Sequence, residues 1–122
     1  MKVLDSSAVL AFLLGEKGGD VARSAFSTGA ISVVNFCEVL SRYAKTGVAP
    51  ADAAPHVAGL GMSVEPFTAE QAVIAAEIYD RTRLSLGDRA CVALAKTLNA
   101  PVLTGDRIWA TLSLPVPVEL IR

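Results

Sequence analysis

Four of the twelve carboxylates in this chain do not fall where solvent is expected. Asp5 ends the short apolar run Lys2-Val3-Leu4. Glu38 lies inside an apolar helical pattern, between Cys37 and Val39. Asp88 stands at the mouth of a nearly wholly apolar helix, and Asp106 comes two residues after Val102-Leu103-Thr104. Taking an ionised carboxylate out of water costs several kilocalories, so such groups pair, protonate or hold a metal. No set of buried bases matches these four, which leaves a cation as the natural partner. Oxygen-only ligands suit Mg²⁺ or Mn²⁺, whereas Zn²⁺ favours His and Cys. The single His56 and two distant cysteines make no zinc site. The chemistry implied is activation of water for in-line hydrolysis of a phosphodiester. Ser6 and Thr104 are placed to hydrogen-bond the acids, a water or a phosphate oxygen.

Each acid alone has a plainer reading. Asp5 and Asp88 could cap helices, and Glu38 could pair with Arg42 one turn on. Asp106 after Gly105 could be a turn residue. The combination favours the metal reading.

The elements that must position these acids can be read in order. Lys2 to Leu4 is a short strand, and Ser6 and Ser7 are good N-caps for a helix over Ala8 to Leu14, ended by Gly15. Val21 to Phe26 predicts a second short helix. Ala30 to Ser32 reads as a small strand, with Ser32 capping an amphipathic helix over Val33 to Lys45. The apolar positions of that helix are Val33, Phe36, Val39, Leu40, Tyr43 and Ala44. Ala49 to Ala58 carries Pro50 and Pro55, so a helix there is short or kinked. Ser63 to Phe67 resembles a strand ending at Pro66. Thr68-Ala69-Glu70-Gln71 is a capping box opening a helix through Tyr79. The apolar helix Ala90 to Leu98, with Gly87 and Asp88 at its mouth, is stopped by Asn99-Ala100-Pro101. Val102 to Thr104 is a buried strand, Ile108 to Ala110 a helical turn, and Val116 to Ile121 a closing edge strand. Helices interleaved with short strands predict an α/β protein: a three-layer α/β/α sandwich around a mostly parallel, roughly five-stranded sheet. In such sheets, ligands bind at the carboxyl ends of strands, where Asp5 and Asp106 stand.

At 122 residues, the span 1–122 reads as one domain. A hydrophobic fraction of 52% against 19% charged argues against disorder. No apolar run approaches a membrane span, and Asp5 comes too early for a secretory signal. Cys37 and Cys91 fall in apolar helical patterns and read as core, and His56 as a surface or structural residue. A cytoplasmic protein without disulfides is the expectation. The formal net charge of −1 says little by itself, but a protein that binds nucleic acid through phosphates alone is usually strongly basic, and this one is not. A nucleic-acid partner would need a cation beside these acids.

Val3-Leu4-Asp5-Ser6-Ser7-Ala8, Asn35-Phe36-Cys37-Glu38-Val39, Leu84-Ser85-Leu86-Gly87-Asp88-Arg89-Ala90 and Leu103-Thr104-Gly105-Asp106 closely resemble the four acidic motifs of the PIN domain, in particular the VapC-type toxins of bacterial toxin–antitoxin pairs. The resemblance covers the whole chain in order and spacing. It implies a Mg²⁺- or Mn²⁺-dependent endoribonuclease whose acid cluster is Asp5, Glu38, Asp88 and Asp106. Thr104 matches the family's hydroxyl beside the last acid, and Ser6 a small polar position after the first. Also implied are a homodimer, a structured RNA substrate such as tRNA or ribosomal RNA, and a cognate antitoxin whose C-terminal segment covers the acid cleft. Some members carry a further acid after the last motif, where this chain has Arg107-Ile108-Trp109.

The basic residues to test for RNA contact are Arg42 and Lys45, on Glu38's helix, and Arg89 and Arg107, beside the acids. A receiver domain fits poorly, because Asp5 is followed by two serines and no Asp ends a central strand. A haloacid-dehalogenase-type phosphatase needs a second acid at Ser7. The serious rival is a PIN-fold RNA-processing nuclease without an antitoxin.

Overall fold

The computed structural model describes all of residues 1–122. Five strands, β1 (Val3–Leu4), β2 (Ala30–Ser32), β3 (Ser63–Glu65), β4 (Val102–Thr104) and β5 (Val118–Leu120), form one sheet in the order β3-β2-β1-β4-β5. Every neighbouring pair is parallel, as helical crossovers between successive strands require. The helices are α1 (Ser6–Leu13), α2 (Gly19–Ser24), α3 (Val33–Ala44), α4 (Pro50–Ala58), α5 (Ala69–Glu77), α6 (Tyr79–Thr82) and α7 (Leu86–Leu98). Two 3-10 turns cover Phe26–Thr28 and Arg107–Thr111.

The pleat sends alternate strand residues to opposite faces, and each face has its own core. Leu4, Ile31 and Leu103 pack with Val9, Leu10, Phe26, Val39 and Val57 from the α1–α4 layer. Val3, Ala30 and Val102 pack with Ile78, Leu84, Val92, Leu94 and Trp109 in the layer holding α7. This is the expected α/β/α sandwich. No helix is long and apolar enough to cross a membrane.

Caps fall where hydroxyls precede apolar runs. Ser32 accepts from Val34 N, Thr68 from Gln71 N, and Ser85 from Asp88 N, each at 3.2 Å. Pro50 occupies the first turn of α4, where no amide donor is needed. The helix continues through Pro55 without a break. Asn99 ends α7 in the left-handed region, φ 52°.

Two expectations are corrected. Helix α1 begins at Ser6 with Asp5 as its cap residue, so Ser6 and Ser7 lie inside the helix rather than capping it. Cys37 is exposed, not core. The buried residues of α3 are Asn35 and Val39. That stripe turns Cys37 and Val33 outward, because residues two apart on a helix face nearly opposite ways. Cys91, by contrast, is fully buried, and His56 is exposed.

Candidate active site

Strands β1 and β4 are neighbours, with Leu4 opposite Leu103, so their carboxyl ends open on one edge. The Asp5 amide donates to Leu103 O at 3.0 Å, which extends the pairing by one residue and fixes Asp5 at that edge. Asp5 is only 3% exposed. Its Oδ2 accepts from Ser7 Oγ at 2.6 Å and from Thr104 Oγ1 at 2.8 Å. Those hydroxyls in turn accept from the backbone: Gly105 N reaches Ser7 Oγ at 2.9 Å, and Asp106 N reaches Thr104 Oγ1 at 3.0 Å. The two hydroxyls are 3.2 Å apart because both aim at one oxygen. The network ties the start of α1 to the loop carrying Asp106.

Asp5 Oδ1 is buried and has no partner. A buried acceptor left unpaired is unusual and calls for an explanation. Burial pushes the Asp5 carboxyl above its ordinary range, the two hydroxyls pull it back, and Glu38 adds a smaller upward push. Asp88, half-buried in the first turn of α7, is pushed up to about 6, first by burial and then by the charge of Asp5. Glu38 and Asp106 add to that push, against the Ser85 hydroxyl. Glu38 Oε1 accepts from Asn35 Nδ2 at 2.9 Å. Asp106 is exposed, and its Oδ1 caps the second 3-10 turn by accepting from Ile108 N at 3.1 Å. The turn reading of Asp106 and its place beside the other acids therefore hold together.

No cation partners any of the four. The ion pairs present join Lys2 to Glu119 and Arg122 to Glu16, and Arg42 does not pair with Glu38. The carboxylates approach one another without closing on a shared point: no three acid, His or Cys side chains stand in ligating range of one ion. An oxygen-only donor set, free of basic partners and with one buried oxygen unsatisfied, nevertheless fits a hard divalent cation. Asp5 would hold it through Oδ1, with Asp88 and Glu38 beside it.

The other sequence candidates divide. Thr104 is buried and bonded to Asp5. Ser6 makes no side-chain bond to an acid; Ser7, next to it, supplies the hydroxyl. Arg42 is exposed on α3, and Lys45 is exposed at its C-cap. Arg89 is engaged within the chain: Nε donates to Leu84 O at 3.0 Å, Nη1 to Ala75 O at 3.1 Å, and the guanidinium lies 4.8 Å from the Tyr79 ring centre. Arg107 is exposed and donates to Arg122 O at 2.8 Å. Arg122 was not singled out by the sequence. Its guanidinium lies over Gly105, where an added β-carbon would sit 3.0 Å from Nη2, and Nη1 donates to Lys17 O at 2.8 Å. The one cavity in the protein, about 350 Å³, lies at the opposite end of the sheet, between Pro101 and Pro117. None of the four acids lines it.

Comparison with known proteins places the fold. The model of the PIN domain family matches residues 2–113. No significant match is found among curated proteins. Among solved structures, a chain of a toxin–antitoxin complex from Klebsiella pneumoniae superposes with TM-score 0.82 at 17% identity, over 100% of this chain and 98% of that one. DNA-bound VapBC from Salmonella typhimurium gives TM-score 0.74 at 15% identity, over 100% of both chains. VapBC-5 from Mycobacterium tuberculosis gives 0.57 at 22%, over 99% of this chain and 97% of that one. At these identities the likeness carries the fold.

Proposed function

The chain belongs to the PIN domain family, and from that premise we propose that it is a Mg²⁺- or Mn²⁺-dependent endoribonuclease acting as the toxin of a type II toxin–antitoxin module. PIN domains are nucleases. The observation that carries it is the buried, unpartnered Asp5 Oδ1 among carboxylates that no base neutralises. A bound divalent cation would lower the pKa of a water and offset the charge of the scissile phosphate. The chain's own groups do the rest. Ser7 and Thr104 take up Oδ2 of Asp5 and leave Oδ1 free of hydrogen bonds for a cation. Asp88 is ionised above about pH 6. Asp106 enters from the β4 loop. The antitoxin reading is supported by structural neighbours described as toxin–antitoxin and VapBC complexes. A homodimer is part of the same proposal.

The direct test incubates purified protein with total and tRNA-enriched RNA in Mg²⁺, Mn²⁺ or EDTA. Cleavage is expected with either ion and none in EDTA. Protein that binds neither ion nor cuts any RNA would refute the nuclease reading. A small reading frame directly upstream, whose product co-purifies and blocks cleavage, is the result expected of a toxin. Cleavage with no such product would favour an RNA-processing nuclease.

Arg42, on α3 with Glu38, and Lys45, just past its end, are exposed and make no ion pair, so we place them as phosphate contacts. In a non-cleaving Asp5→Asn background, removing either should weaken RNA binding regardless of sequence. Each loss should also flatten the slope of log K against log salt by about 0.7 for single-stranded RNA. Fluorescence anisotropy over a salt series reads this; unchanged slopes would remove both residues from the interface.

A further inference from the structure

We infer that Asn35 and Gly87 are positioning residues that hold the Glu38 carboxylate against the first turn of α7, in the orientation from which it faces Asp88 and Asp5. Asn35 is fully buried in α3, one turn before Glu38. Its Nδ2 donates to Glu38 Oε1 at 2.9 Å and to Gly87 O at 2.9 Å. Both partners are acceptors, so only the amide nitrogen can face them, and the amide orientation is fixed by chemistry. Oδ1 is left buried without a partner. An apolar residue at this position would avoid that cost, so its presence points to what Nδ2 does.

Gly87 meets the same carboxylate from the other helix. Its φ is not in the left-handed region, and glycine is a poor helix former, so the backbone does not require it. The Glu38 side chain does. A β-carbon at Gly87 would collide with Glu38 Oε2 and stand 2.5 Å from Cδ and 2.7 Å from Oε1. The missing side chain is thus the space the carboxylate occupies, at the positive end of the α7 dipole. A neutral amide and a helix terminus orient the carboxylate without neutralising it. A lysine or arginine there would compete with a cation. Groups that orient ligands in this way tune metal affinity strongly. The metal side of this inference rests on the nuclease reading; the contact itself does not.

The test compares wild type, Gly87→Ala, Glu38→Ala and the double variant. Alanine suits the backbone, and the atoms it meets are the far end of a flexible side chain, so the Gly87→Ala fold is retained. Two readouts are taken: Mn²⁺ affinity by titration calorimetry, and the Asn35 side-chain amide in nitrogen-15 NMR spectra without metal. Gly87→Ala should weaken Mn²⁺ binding by about tenfold and shift the amide proton bonded to Glu38. Added to Glu38→Ala, it should change neither readout, because no carboxylate remains to be displaced. An unchanged amide in Gly87→Ala, or an equal loss of affinity in both backgrounds, overturns the inference. If wild type binds no Mn²⁺ while the amide shifts as expected, the metal reading falls and the positioning stands.

Discussion

Asp5→Asn should lose RNA cleavage by about a thousandfold or more, yet melt in EDTA at the same temperature as wild type or higher. The activity term follows from the site. Asp5 Oδ1 is the one oxygen of the four acids that is both buried and without a hydrogen-bond partner. Charge stabilisation by a bound cation is worth several kcal/mol, at about 1.4 kcal/mol per decade of rate. The stability term follows from the direction of the Asp5 shift. Its folded pKa lies above the unfolded value, so the folded state holds the proton more tightly than the unfolded chain. Stability is therefore full below the unfolded pKa and declines as pH rises toward the folded one. An amide of the same shape does not titrate and escapes that decline. Its oxygen can still accept from Ser7 and Thr104. The melting difference, variant minus wild type, should accordingly widen as pH rises above about 4. Single-turnover cleavage of RNA and thermal unfolding in EDTA read the two terms. A variant within tenfold of wild type in rate, or one that melts well below it at neutral pH, would sink the assignment of Asp5. The opposition of the two effects is what separates a functional acid from a structural one.

How far the sequence could be read depended on whether a side chain's partners were local. Asp5, Glu38, Asp88 and Asp106 stood out because each interrupts an apolar context, and apolar context is what strand ends and buried helices share. The sheet followed from the alternation of short apolar strands with helices. The misreadings of Cys37 and of Ser6 share one physical origin: helix phase near polar residues. Asn35 is buried and polar, so hydropathy turns it outward and carries Cys37 inward. The structure reverses both, because Asn35 finds its acceptors at Glu38 and, 52 positions away, at Gly87. Ser6 and Ser7 are chemically identical, and the choice between them depends on where α1 begins. With Asp5 at the cap, the second helical residue reaches back to Oδ2. Arg89 looked available beside Asp88, but its acceptor at Ala75 lies 14 residues upstream. Nor could spacing alone have placed Arg122 over Gly105. The plainer alternative, a pairing of Glu38 with Arg42, is absent because Glu38 turns toward α7 while Arg42 stays in solvent.

The second large effect is a reversal of pH dependence by metal. Asp88 has a folded pKa of about 6, against an ordinary 3.8. Without metal, the folded protein keeps this proton while the unfolded chain releases it. The contribution of Asp88 is thus full below about pH 4 and lost as pH rises toward about 6. Because the group is only half-buried, solvent screening keeps the loss to about 1 kcal/mol, a few degrees in melting temperature. Asp88→Asn removes the titration, so the variant should gain on wild type over that same interval in EDTA. With Mn²⁺ the sign inverts. A cation binds the ionised carboxylate, so below about pH 6 its affinity should fall by about tenfold per pH unit for each proton it displaces. Stabilisation by ligand grows with the logarithm of concentration over Kd. Wild type should therefore gain little from Mn²⁺ at pH 5 and most above pH 6.5, while Asp88→Asn gains little at either. Cleavage at subsaturating Mn²⁺ should follow the same curve. If the Mn²⁺ gain were equal at pH 5 and pH 7, or survived in Asp88→Asn, the cation would not be held by this carboxylate. The burial and the carboxylate repulsion that raise Asp88 would then be only a cost of the fold.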